Sequence, residues 1–117
     1  MYRSLFLVAA VGLVTAGAAL GSARPSIHVQ QRSVAPGGRV TVYGSVGSCA
    51  SGDVTVISRA FRGHAFGEGA LTGHVNAANH TFSVNGRVRA GLHAGKYAIS
   101  ARCGGGNLGV TAKLRVS

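Results

Sequence analysis

Two carboxylates (Asp53, Glu68), five histidines and two cysteines are the residues of this 117-residue chain that could do chemistry. Hydrolysis by paired carboxylates would need Asp53 and Glu68 together, and an oxygen cage for calcium or magnesium needs more carboxylates than two. A Ser-His-Asp arrangement could use Asp53 only if the fold carried it to a histidine. Ser51-Gly52-Asp53 reads as a turn, Glu68 in Phe66-Gly67-Glu68-Gly69 reads as a loop charge, and no G-x-S-x-G elbow exists. His28, His64, His74, His80 and His93 are spaced by 36, 10, 6 and 13 residues. None of these gaps is a paired metal-ligand spacing, so the five read as exposed polar side chains. The run Gly104-Gly105-Gly106 lacks the lysine of a phosphate loop and precedes a strand pattern, which makes it a turn. Composition and spacing thus predict no catalytic residue, no metal ligand and no cofactor.

Charge is the feature left standing. Twelve Lys and Arg face two acids, a formal +10. Arg87 and Arg89, Lys96 and Arg102, and Lys113 and Arg115 fall on the polar sides of three late strand patterns. If two of those strands are neighbours, a basic face results. Arg59, Phe61, Arg62, His64 and Phe66 lie in a glycine-rich stretch that forms a candidate recognition loop. The competing reading is that Phe61 and Phe66 plug one end of the core. Extracellular anions that such a surface attracts include teichoic acids, lipid headgroups, polysaccharides and nucleic acid, all with little selectivity. Sequence-specific reading of nucleic acid is not expected, because no recognition helix is predicted and aromatics are only 6% of residues. A surface that merely keeps the protein in solution is the plainer alternative.

The elements that position these residues begin after an export signal. Arg3 supplies a positive start, Leu5 to Leu20 is uncharged and apolar, and Gly21-Ser22-Ala23 offers small residues for cleavage before Arg24. A run of 16 residues falls short of the roughly 20 that span a bilayer as a helix, so residues 1–23 read as a cleaved signal peptide. The mature domain, 24–117, keeps eleven basic residues against two acidic ones, a formal +9. A copper site built on an N-terminal histidine is thereby disfavoured, since Arg24 comes first. Domains this small bury only about 60–65% of their unfolded surface and gain from a covalent brace. Cys49 and Cys103 lack a C-x-x-C spacing, and export favours their oxidation to a disulfide over a reactive thiol or metal pair.

Period-two alternation runs through Arg39–Val46, Val54–Val56, Thr81–Val88, Lys96–Cys103 and Val110–Val116. Ile27 and Val29 suggest a short first strand, and a seventh could lie near Ala70–Val75. Ala35-Pro36-Gly37-Gly38, Ala77-Ala78-Asn79, Ala90–Gly95 and Gly104–Asn107 punctuate the series. Short strands broken every 8–15 residues predict an all-β chain, and a bridge from an early strand end to the penultimate strand predicts an immunoglobulin-like antiparallel sandwich of six or seven strands. There is no Trp, and Ala101 stands two before Cys103 where antibody domains carry Tyr.

The segments Ala35-Pro36-Gly37-Gly38-Arg39-Val40-Thr41-Val42-Tyr43-Gly44 and Gly95-Lys96-Tyr97-Ala98-Ile99-Ser100-Ala101-Arg102-Cys103-Gly104-Gly105 resemble small secreted Ig-like proteins of actinobacteria. That resemblance implies a secreted sandwich and no defined activity. The carrier apoproteins of the neocarzinostatin type are similar in architecture, but they are acidic and hold two disulfides. The reading is a secreted, monomeric, non-enzymatic binding or structural module, at the cell envelope or in the medium, with anionic polymers or another protein as partner. No membrane span remains after cleavage. A small-ligand carrier or protein inhibitor using the 59–69 loop is the alternative, and an enzyme stands third.

Overall fold

Alternating valines need two covering layers, because each strand hides one face and shows the other to water. The computed structural model describes residues 24–63 and 67–117 and builds those layers from eight strands. These are β1 (Pro25–Val29), β2 (Ser33–Val34), β3 (Arg39–Val46), β4 (Asp53–Ser58), β5 (Gly69–His74), β6 (Thr81–Arg87), β7 (Gly95–Cys103) and β8 (Gly106–Val116). One sheet has the order β1-β3-β6 and the other β2-β8-β7-β4-β5. Val42, Val84, Val56, Ile99 and Leu114, drawn from both sheets, share a single buried core cluster. The fold is an immunoglobulin-like β-sandwich, and residues 1–23, which the sequence reads as a signal peptide, lie outside the described residues.

The strand count exceeds the six or seven expected, and one pairing is parallel. β2 contributes only two residues, which run beside the end of β8 through Ser33↔Arg115 and Val34↔Val116. Two residues carry no periodicity, so this strand is invisible to pattern reading. β8 also starts earlier than Val110, with Gly106 and Asn107 already opposite Cys103 and Arg102. The connection therefore shrinks to Gly104-Gly105, with φ of 61° and 86°. Positive φ at both central residues is what a two-residue hairpin turn matching the strand twist requires. A bulge between Ser100 and Arg102 absorbs the extra residues of β8.

The two ends of the sandwich are fastened differently. At one end Cys49, in the turn after β3, is bonded to Cys103 at the end of β7, with Cα atoms 6.4 Å apart. The bridge joins the sheets, as the cysteine placement predicted. At the opposite end Phe61 pairs with Val88 across the sheets, and the Arg89 N–H donates to the Ala60 carbonyl at 2.9 Å. Tyr97 compensates for the absent Tyr at 101: its hydroxyl donates to the His93 carbonyl at 2.7 Å, four residues upstream. That is the contact a tyrosine corner makes, supplied here from the start of β7.

Candidate functional site

The Phe61 end is built by a turn that sorts its residues. Ser58 is fully buried; its Oγ accepts the Ala60 N–H at 3.1 Å and its carbonyl accepts the Phe61 N–H at 3.1 Å. Such a local side-chain bond closes the chain as it leaves β4. Ala60 and Phe61 are driven inward, Phe61 to 2% exposure, while Arg59 and Arg62 are left outside. The Arg62 carbonyl then accepts the Ala70 N–H at 2.9 Å, tying the loop to the start of β5. Arg89, on the extension of β6, arrives from the other sheet. Arg59, Arg62 and Arg89 consequently line one cleft of about 420 Å³, together with Glu68, Gly63, Gly67 and Gly69.

Of the candidate loop residues, Arg59 and Arg62 are exposed and Phe61 belongs to the core, sealing the sandwich end. His64 and Phe66 lie outside the described residues. Glu68 is half-buried in the cleft wall and pairs with none of the three guanidinium groups.

Of the six strand cations, Lys96, Arg102, Lys113 and Arg115 lie on the outward side of the neighbouring strands β7 and β8, whereas Arg87 and Arg89 come from the other sheet. Lys96 and Arg115 are direct neighbours across β7 and β8, and Lys113 lies opposite Ala98 on the same outward side. Arg87 ends β6 in the other sheet, opposite Arg39, and its Nη1 donates to the Gly37 carbonyl at 3.1 Å. Arg89 belongs to the cleft. Arg102 stands apart at the disulfide end, where its Nη2 donates to the Gly105 carbonyl at 2.8 Å and holds the hairpin turn. Apart from Arg102, what these cations share is an end of the molecule. The start of β3, the end of β4, the end of β6, the start of β7 and the end of β8 all meet at the Phe61 end. Arg32 joins them, its carbonyl accepting the Arg115 N–H at 3.3 Å.

Among side chains from Arg24 onward, nine cations and one carboxylate occupy this end, leaving Arg24, Arg102 and Asp53 at the other. Sequence reasoning passed over Arg32 and Arg39. The signal available was their position at strand boundaries, given that strands in a sandwich alternate in direction. A concentration of like charge at one end raises the local potential and draws in polyanions.

The remaining titratable groups are scattered. Asp53, expected in a turn, is the first residue of β4 and faces His74 across the strand pair, with Oδ1 2.9 Å from Nδ1. The fold does bring Asp53 to a histidine, but the two side chains are 94% and 63% exposed for His74 and Asp53 respectively. No hydroxyl bonds to the second nitrogen of His74 among the described residues. His28 packs against the exposed Tyr43, with ring centroids 5.2 Å apart on the outer side of the three-stranded sheet. No group of three or more His, Cys, Asp or Glu able to hold a metal occurs among the described residues. No helix among them is long and apolar enough to cross a membrane. No family model and no curated protein matches the chain in sequence.

Proposed function

We propose that the mature chain is an exported, monomeric, non-enzymatic binding module that docks by its cationic end onto anionic polymers of the cell envelope. The observation that carries this reading is the gathering of nine of eleven basic side chains at one end of the sandwich. The Cys49–Cys103 bridge supports export, because such bonds persist in oxidising compartments. The resemblance to small secreted Ig-like proteins belongs to the same proposal. A carrier or inhibitor role for the 59–69 loop is the second reading, favoured by the arginine-lined cleft at that loop.

Retention on immobilised poly(glycerol phosphate), a teichoic-acid backbone, tests the proposal. If about five cations engage phosphates, counterion release gives a slope near −3.5 in log affinity against log salt. Affinity then falls roughly 100-fold between 50 and 200 mM salt. Retention that is absent at 50 mM, or unchanged at 500 mM, would overturn a charge-driven mode.

A further inference from the structure

We propose that the cleft bounded by Arg59, Arg62 and Arg89 is a subsite for a dianionic phosphate monoester, the chemistry of a polymer's phosphorylated end or of a small phosphate ester. This rests on the polyanion reading above and narrows it to one group at one place.

Charge gives the first argument. Three guanidinium groups and the single carboxylate of Glu68 line the cleft, a formal local charge of +2. A phosphate monoester carries about −1.5 to −2 near pH 7, whereas a diester or sulfate ester carries −1. Chemistry gives the second. All three cations are Arg, although Lys occurs elsewhere at this end, and the guanidinium fork is the side chain that meets phosphate oxygens two at a time. None of the three is consumed by an ion pair or side-chain hydrogen bond among the described residues.

The frame gives the third. Arg59 follows the Ser58 turn, Arg62 is held through its carbonyl by Ala70, and Arg89 is held through its N–H by Ala60. Phe61 beneath them is fixed in the core. Two positions pinned by backbone hydrogen bonds, and a third inside the Ser58 turn, bring their side chains to one opening, which lowers the ordering cost of binding. The other described wall positions are glycines, so no side chain of theirs fills the space. A cleft of about 420 Å³ lies within the usual range for small-molecule sites, about 300–1,000 Å³.

Calorimetric titration at pH 7.5 with phenyl phosphate and its isosteric monoanion phenyl sulfate tests the assignment. The expected result is saturable one-to-one binding of phenyl phosphate, at least 10-fold tighter than phenyl sulfate. R62Q/R89Q should weaken phenyl phosphate at least 10-fold. K113Q/R115Q removes the same two charges from the same end but outside the cleft, and should weaken it by less than 3-fold. Equal weakening by both pairs, or no preference for the dianion, would reduce the cleft to general charge and overturn the subsite. Parallel retention on poly(glycerol phosphate) separates the two levels. A wild-type protein retained by the polymer yet blind to phenyl phosphate loses the subsite alone, whereas absent retention removes the polyanion reading beneath it. Elution of the polymer-bound protein by phenyl phosphate would identify the source as the polymer's phosphorylated end. Binding of phenyl phosphate without elution would identify it as a separate small ester.

Discussion

Removing the Cys49–Cys103 bridge should destabilise the domain strongly while leaving polymer binding intact, because the bridge lies at the end opposite nine of the eleven cations. The bond spans 54 residues of sequence and encloses β4, β5, β6 and most of β7. Loop closure over that length withholds about 14 cal/mol/K from the unfolded chain, or about 4 kcal/mol at 25 °C. In a domain of fewer than 100 residues each kcal/mol shifts the melting midpoint by about 4–8 °C, so C49A/C103A should melt roughly 15–30 °C lower. Both cysteines also pack on the core, which adds to the loss rather than offsetting it. Circular-dichroism melts of wild type and variant provide the assay, with retention on poly(glycerol phosphate) measured at a temperature where both are folded. A midpoint change below about 5 °C would refute the loop-closure argument. Loss of retention by the folded variant would refute the independence of the two ends.

Other consequences are local. F61A should cost about 3–5 kcal/mol in urea unfolding, as a large ring lost from a buried site does, and should abolish phenyl phosphate binding because Phe61 underlies the cleft. Retained binding would detach the cleft from the core. Gly44 sits opposite Ile27, and a Cβ there would run into the Ser26 carbonyl oxygen, so G44A should lose about 1–3 kcal/mol by forcing β1 away from β3. A neutral G44A would contradict that close approach. D53N breaks an exposed pair and should leave the melting midpoint within about 3 °C of wild type, whereas a fall beyond 8 °C would give the Asp53–His74 contact a structural weight that its exposure does not predict.

The legible parts of the fold were those written in period two. Val40, Val42 and Val46 in β3, and Ile99, Ala101 and Cys103 in β7, face inward as their alternation requires. The bridge was legible too, since two cysteines have one possible pairing. β2 was not, because Ser33-Val34 gains strand character only from β8 beside it. The Asp53–His74 contact was hidden for a similar reason: it depends on the register of β4 against β5, and Ser51-Gly52-Asp53 looks like a turn until β4 is seen to begin at Asp53. The candidate site was half legible. Arg59 and Arg62 announced a cationic loop, but Arg89 reaches it only through the pairing of Val88 with Phe61, a contact between sheets that no local pattern encodes. Alternation assigned the strand cations to outward sides and could not say that Arg39, Arg87, Lys96 and Arg115 share an end, which needs strand direction as well as parity.

The central claim is that polyanion binding runs through the Phe61 end of the sandwich. Amide chemical-shift mapping of the ¹⁵N-labelled domain of residues 24–117, titrated with poly(glycerol phosphate) at 50 mM salt, addresses it residue by residue. Shifts should concentrate at Arg39, Arg59, Arg62, Arg87, Arg89, Lys96 and Arg115, with Cys49, Asp53, His74 and Gly104–Gly106 unmoved. Shifts spread evenly over both ends, or centred on the disulfide end, would contradict it.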